Sequence, residues 1–94
     1  MHDLEVGQLV VATAGRDKSN KFIVMCIIDN EYVYISDGDL RKVENPKKKR
    51  TKHIRKLNYI SEDIKNKLQG NEKVTNKEVK KFISTVVSYR EQEV

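Results

Sequence analysis

The sequence predicts a mainly β fold with added α-helix, in which a small β-barrel over residues 1–60 is followed by a two-helix C-terminal extension over residues 61–94. The chain has 94 residues, enough for one domain of about 60 to 70 residues and an appendage. Its first part contains short β-rich stretches separated by turn residues, which favours a barrel or sandwich because long strand edges cannot stay unpaired. After residue 60 the hydrophobic period lengthens from two to about 3.6, which indicates helices.

Five strands are expected in the first part. The second, with the sequence FIVMCII, is apolar on both faces, so we expect it to be covered on both sides at the centre of the core. Cys26 within it is therefore expected to be a small buried hydrophobe. The polar residues 29–31 favour a hairpin between the second and third strands. The predicted strands span residues 8–14, 22–28, 32–35, 40–43 and 54–59.

The last third of the chain has the caps and spacing of two helices. Ser61 is an N-cap candidate, and the short helix that follows is expected to end at Gly70. Thr75 and Glu78 match a capping box at the start of a second helix. Its apolar stripe is expected to cover the barrel, whereas an exposed stripe would instead be a partner interface. The stripe consists of Val79, Phe82, Ile83, Val86 and Val87.

Positive charge is concentrated in one segment. The formal net charge is +5, from 19 lysines and arginines and 14 aspartates and glutamates. Residues 47–60 hold seven cations and no acid, whereas residues 1–46 hold five cations and eight acids, and residues 61–94 hold seven and six. Such a block creates a directed potential. We therefore expect a polyanionic partner that binds mainly at the basic extension, residues 47–56.

The basic extension has a simpler alternative interpretation, as a solvated and disordered linker between barrel and helices. Two features favour a structured binding segment. No acid within the segment neutralises its charge, and the apolar Ile54, Leu57 and Tyr59 are interleaved with polar residues from its second half onward, as in an ordered strand. A basic strand on a barrel would hold cations at fixed spacing along a phosphate backbone. Tyr59 is the first candidate to stack on a base, since Tyr32 and Tyr34 lie on a predicted hairpin strand, where tyrosines more often pack or pair.

The sequence lacks motifs of catalysis and of cofactor or metal binding. It has no nucleotide-binding glycine pattern, no cysteine and histidine cluster and no nucleophile elbow, so we expect no enzyme, no cofactor, no metal and no small-molecule substrate. A single cysteine excludes an internal disulfide and is typical of a reducing compartment. Without signal-peptide features and with a longest apolar run of seven residues, a cytoplasmic protein with no membrane partner is expected.

Residues 6–18, with the sequence VGQLVVATAGRDK, resemble the KOW element of KOW-type RNA-binding proteins, and the resemblance continues through residues 22–28 and 32–39. It suggests small bacterial proteins similar to KOW-bearing large-subunit ribosomal proteins of archaea and eukaryotes. The resemblance implies an SH3-like barrel whose first loop contacts RNA. It covers residues 4–58 and departs from the family at Ser19, where glycine is usual after Lys18.

The leading hypothesis is a non-enzymatic RNA-binding protein of the ribosome or translation machinery, with ribosomal RNA as its partner and ribosomal proteins as further partners. Its specificity would come from RNA shape, because phosphate contacts do not read sequence. The alternative is a protein-interaction adaptor of the transcription or translation machinery, docking through the barrel or the C-terminal helix. The expected RNA-binding residues are Arg16, Lys18, Lys21, Lys47, Lys48, Lys49, Arg50, Lys52, Arg55, Lys56 and Tyr59.

Overall fold

The computed structural model describes the backbone of residues 3–92 and the side chains of residues 3–87. Five strands precede two helices, and a 3-10 turn, Thr51–His53, joins the last two strands. The strands are β1 (Gln8–Ala12), β2 (Lys21–Ile27), β3 (Tyr32–Ser36), β4 (Lys47–Arg50) and β5 (Ile54–Ile60), and the helices are α1 (Glu62–Gln69) and α2 (Asn76–Gln92). The predicted mixed β and α fold is confirmed. Neither helix is long and apolar enough to cross a lipid bilayer.

All five strands form one antiparallel sheet in the order β4-β3-β2-β1-β5. Its two edge strands, β4 and β5, are consecutive in the chain. The 3-10 turn between them forms backbone hydrogen bonds both to the β2–β3 connection and to the end of β1. The Thr51 N–H donates to the Glu31 carbonyl over 2.7 Å, and the Thr13 N–H donates to the His53 carbonyl over 2.8 Å. The sheet therefore curves until its edges approach at this corner. Within residues 3–92, however, no ladder joins β4 to β5, so the barrel is not closed.

The prediction of a fourth strand at residues 40–43 is wrong, because these residues belong to a turn region and Lys47–Arg50 forms β4 instead. The Asp37 carboxylate accepts the Arg41 N–H over 2.9 Å, and the Ser36 hydroxyl donates to the Arg41 carbonyl over 2.6 Å. These bonds close a tight turn and use backbone groups that strand pairing would need. Part of the basic extension is thus a strand of the sheet.

One face of the sheet, which we call the inner face, carries a cluster of apolar side chains without any helix residue. Since all of them are at most 2% exposed, the curvature of the sheet itself must enclose them, with help from Leu4 and Ile54. This cluster is a core of the kind that a small barrel has, even though the ladder is not closed. Its members are Val10, Ala12, Phe22, Val24, Val33 and Ile35.

The helices cover part of the opposite, outer face of the sheet. Leu9 and Ile23 of the sheet belong to one buried cluster with Ile64 of α1 and with Val79 and Val86 of α2. Each of these side chains is at most 6% exposed. The expectation that the apolar stripe of α2 packs against the sheet is therefore confirmed.

The predicted caps of both helices are confirmed. The Ser61 hydroxyl accepts the Ile64 N–H over 3.2 Å, and α1 ends at the predicted Gly70. At the start of α2, the Thr75 hydroxyl accepts the Glu78 N–H over 3.2 Å while the Glu78 carboxylate accepts the Thr75 N–H over 2.8 Å. This reciprocal pair is the capping box.

The second strand is covered on both sides only over its first part. Phe22, Ile23 and Val24 are fully buried, whereas Cys26 is exposed and Ile27 is 37% exposed. A β-bulge between Val24 and Cys26 interrupts the register with β3. The prediction of a buried Cys26 is wrong because the β2–β3 hairpin extends beyond the part of the sheet that the helices cover.

Candidate nucleic-acid interface

The four basic residues of β4 alternate between the two faces of the sheet. Lys47 lies opposite Ile35 and Lys49 lies opposite Val33, and both partners belong to the inner-face cluster. Directly opposite residues of paired strands share a face. Lys47 and Lys49 are therefore called the inner cations, and the two residues that alternate with them are called the outer cations.

The inner cations are bonded to the loop of residues 15–20 and its neighbours. Lys49 is 8% exposed, and its Nζ donates to the Ala14 carbonyl over 3.1 Å. The Lys47 Nζ donates to the Asp17 carboxylate over 2.8 Å, and Arg41 lies 3.4 Å from the same carboxylate. A phosphate could bind either lysine only at the expense of these contacts. Two of the predicted RNA-binding residues therefore hold the loop against the sheet.

The outer cations lie beside two tyrosines of β3. Arg50 is directly opposite Tyr32, and Lys48 is directly opposite Tyr34. The Lys48 Nζ is 4.6 Å and the Arg50 Cζ is 5.5 Å from the centroid of the Tyr32 ring. Both distances are within the range of cation–π contacts. These four residues, Tyr32, Tyr34, Lys48 and Arg50, are called the tyrosine face.

The tyrosine face has the chemistry of a nucleic-acid surface. Both outer cations are exposed, and the side chain of Tyr34 is 36% exposed. Tyrosine rings stack on unpaired bases, and cations next to them contact the phosphates. Glu31 lies 3.9 Å from Arg50, but both side chains are well exposed, so this pair neutralises little of the charge.

The sequence interpretation ranked Tyr59 ahead of Tyr32 and Tyr34 as a residue that stacks on bases. Tyr32 and Tyr59 are both half-buried, but the Tyr59 ring packs against the cluster beneath the helices and is not an open stacking surface. The alternation of residue types along β3 indicates which side chains point outward. Val33 and Ile35 are apolar and point inward, so the two tyrosines that alternate with them point outward. The helices do not cover this part of the sheet.

The other cations of the basic extension lie on the turn and on β5. Lys21 and Arg55 are both opposite Val11, on the strands on either side of it, and therefore flank it on the outer face. Lys56 forms an exposed ion pair with Asp3 over 2.7 Å. The exposed residues of this group are Lys52, Arg55 and Lys56.

The loop of residues 15–20 exposes two cations on either side of a buried acid. Arg16 and Lys18 are exposed, while the side chain of Asp17 between them is only 9% exposed. The hydrogen bond from Lys47 and the charge of Arg41 lower the pKa of Asp17, although burial acts in the opposite direction. The Asp17 carboxylate therefore stays ionised and anchors the loop.

Ser19 in the same loop adopts a backbone conformation that favours glycine. Ser19 has a φ of +75°, and its N–H donates to the Ala12 carbonyl over 2.8 Å. A φ of this sign disfavours residues with a Cβ and is the conformation that glycine adopts most readily. The loop keeps a backbone suited to glycine even though serine occupies the position.

No family model matches the chain, and no curated protein is significantly similar to it. The observations that bear on function are therefore the exposed Tyr34 and the exposed cations, together with the half-buried Tyr32 that the outer cations contact.

Proposed function

We propose that the protein binds RNA that contains unpaired nucleotides, and that the tyrosine face is the centre of the binding surface. The observation that carries the proposal is the contact of Lys48 and Arg50 with the Tyr32 ring. Stacking on this ring would hold a base, and the two cations would then lie within reach of its phosphates. The arrangement joins the two interactions on which single-strand binders depend.

Charge extends this surface along the sheet edge and the 3-10 turn. Lys52 and Arg55 add to the outer cations, giving four exposed cations, whereas Lys56 lies opposite Val10 of the inner-face cluster and pairs with Asp3. If each of the four contacts a phosphate of a single strand, log K falls against log salt with a slope of about −2.8. Arg16 and Lys18 of the loop would bring the slope to about −4.

The resemblance to KOW proteins is the reason to propose RNA rather than DNA, and ribosomal RNA in particular. The curved sheet with its enclosed inner core supports an SH3-like architecture as part of the same proposal. Recognition would depend on RNA shape and on accessible unpaired bases, since the cations contact phosphates that carry no sequence information.

The alternative proposal of a protein-interaction adaptor loses one of its two surfaces. Val79 and Val86 of α2 are at most 6% exposed and pack against the sheet. The stripe that would have docked a partner is therefore part of the core, and no observation favours the helix as a docking element.

Fluorescence anisotropy with labelled oligonucleotides tests the proposal. The probes are an RNA hairpin with an unpaired loop, the same loop sequence as single-stranded RNA and as single-stranded DNA, and a fully paired RNA duplex. We expect the two RNAs with unpaired bases to bind most tightly and to lose about 100-fold in affinity between about 50 and 200 mM salt. No binding by a protein whose circular dichroism shows it folded would overturn the proposal.

Cys26 allows the site to be located independently. It is exposed and directly opposite Tyr34 in the β2–β3 ladder, which places it beside the tyrosine face. We expect saturating RNA to slow alkylation of the Cys26 thiol by iodoacetamide several-fold. If alkylation proceeds at the same rate with RNA bound, the RNA occupies another surface.

A further inference from the structure

A second basic surface lies between α2 and the turn that follows β3, outside the basic extension. It is an open groove of about 610 Å³ between Gly38 of the turn and the first half of α2. The side chains that define its chemistry are Lys42, Lys77, Lys80, Lys81, Ser84 and Asp39. We call it the lysine groove.

The lysine groove is held in shape by contacts at its floor. A Cβ on Gly38 would lie 2.4 Å from the Asn76 carbonyl oxygen, so the turn and the helix approach as closely as glycine permits. The Asn76 side chain accepts the Val43 N–H over 2.8 Å and donates to both Glu44 carboxylate oxygens over 3.0 Å. These bonds fix the chain after the turn against the start of α2.

The charge of the groove is strongly unbalanced. Four lysines and one aspartate line it, which gives a local charge of +3. Of the two nearby acids, Glu78 is already paired with Lys67, whereas Glu44 is held by the neutral amide of Asn76 and keeps its own charge beside the groove. The hydrogen bonds from Asn76 and Lys67 lower the pKa of Glu44 and Glu78, respectively.

Such an arrangement does not stabilise the fold. Lys77, Lys80 and Lys81 are spaced three and four residues apart on α2, and like charges at that spacing destabilise a helix. A bound anion would relieve this repulsion. The near-neutral total charge of residues 61–94 conceals the cluster, because Glu62 and Asp63 lie on α1, Glu72 lies between the helices, and Glu78 is paired with Lys67.

We infer that the lysine groove binds backbone phosphates of the same RNA that the tyrosine face engages, an inference that rests on the proposed function. β3 leads from one surface to the other: Gly38 follows Tyr34 by four residues, which an extended chain spans in at most about 14 Å. A single-stranded nucleic acid that occupies a small domain covers about 4 to 16 nucleotides, so one strand can reach both surfaces.

Two double variants with equal loss of charge test the inference. Lys77→Gln/Lys80→Gln removes two lysines of the groove, whereas the control Lys65→Gln/Lys73→Gln removes Lys65 of α1, which pairs with Glu5, and Lys73 of the segment before α2, and it leaves the pair of Lys67 with Glu78 intact. We expect the groove variant to bind single-stranded RNA about 25-fold more weakly at about 0.1 M salt, with a salt slope smaller by about 1.4. The control variant should keep the affinity and slope of the wild type.

Asp39→Asn provides a test in the opposite direction. It removes the one acid among the described lining residues and keeps the side chain nearly the same size, so RNA affinity should rise about 3-fold. Binding that is unchanged in both the groove variant and Asp39→Asn overturns the inference and leaves the proposed function standing. If wild-type protein binds no RNA at all, the proposed function fails first.

A last experiment tests whether the ligand of the lysine groove is RNA or a small phosphate compound. Inorganic tripolyphosphate is titrated into wild type and into Lys77→Gln/Lys80→Gln by calorimetry. We expect weak binding to the wild type that competes with RNA. Tripolyphosphate binding that is lost in the groove variant, while RNA affinity is unaffected, contradicts the inference, since the groove then serves small polyphosphates instead.

Discussion

The two faces of β4 use the same kind of residue for different purposes. On the inner face, Lys47 and Lys49 are bonded to Asp17 and to the Ala14 carbonyl. On the outer face, Lys48 and Arg50 are exposed, and both lie over a tyrosine ring. Neighbours in sequence thus divide into cations that hold a loop in place and cations that are open to a ligand.

This difference shows that the number of charges in a basic segment does not measure its binding capacity. Strand alternation sends every second side chain to the opposite face, and burial decides what each can contact. The seven cations between residues 47 and 56 therefore include five exposed side chains and two that serve the fold.

The largest expected effect comes from reversing one charge on each face. Lys49→Glu places a carboxylate where an 8% exposed ammonium faces a carbonyl oxygen, so the free energy of unfolding should fall by about 3 kcal/mol or more. Lys48→Glu changes the net charge equally but at an exposed site, where about 0.5 kcal/mol is expected. Urea unfolding measures both. Equal losses would show that the two faces do not differ.

A second test replaces one tyrosine of each environment by leucine. Tyr32→Leu removes the ring that the outer cations contact and should weaken binding of unpaired RNA about 10-fold, a typical loss for one stacked base. Tyr59→Leu alters a side chain packed under the helices and should leave RNA affinity unchanged while lowering the melting temperature. Anisotropy titrations decide between them. A larger affinity loss in Tyr59→Leu than in Tyr32→Leu would show that Tyr59, and not Tyr32, is the main stacking residue.

Acid should weaken the inner contacts through Asp17. The pKa of its carboxyl is lowered in the folded state, mainly by the Lys47 hydrogen bond. Its stabilising contribution is therefore complete above the unfolded pKa of about 3.9 and is lost as the pH falls through the lower folded value. Asp17→Asn should cost about 1.5 kcal/mol at neutral pH and reduce the loss of stability on acidification. An unchanged pH profile in the variant would exclude Asp17 as the group responsible.

The smallest effect is expected in the loop that the inner cations hold. Ser19→Gly removes a Cβ from a residue with a φ of +75°, so stability should rise by about 1 kcal/mol. Lys18→Gly is the control, since its φ is not positive and glycine there only adds freedom to the unfolded chain, at a cost of about 0.5 to 1 kcal/mol. Melting temperatures should therefore move in opposite directions.

Local signals in the sequence are sufficient to predict where the two helices begin. The caps at Ser61 and Thr75 involve residues within three positions of each other, so their geometry is encoded locally. The same holds for the β2–β3 hairpin, because the Asp29 carboxylate in its connection accepts the backbone N–H groups of Glu31 and Tyr32.

Features that depend on distant contacts could not be predicted in the same way. Residues 40–43 have strand-like composition, but the Val43 N–H donates to the side chain of Asn76, 33 positions away in the sequence, instead of pairing in the sheet. Cys26 lies in an apolar run, yet its exposure depends on where the helices end over the sheet. The separation of inner from outer cations required the register of β4 on β3, which only the assembled sheet defines.

The salt dependence of RNA binding tests the division between the faces most directly. The outer double variant Lys48→Gln/Arg50→Gln and the inner double variant Lys47→Gln/Lys49→Gln remove the same charge from the same strand, and circular dichroism checks that each is folded. Where the inner double variant unfolds, Lys47→Gln replaces it. We expect the outer variant to lower the slope of log K against log salt by about 1.4, and the inner variant to keep the wild-type slope. An equal reduction in both variants, or a reduction in the inner variant alone, would contradict this account.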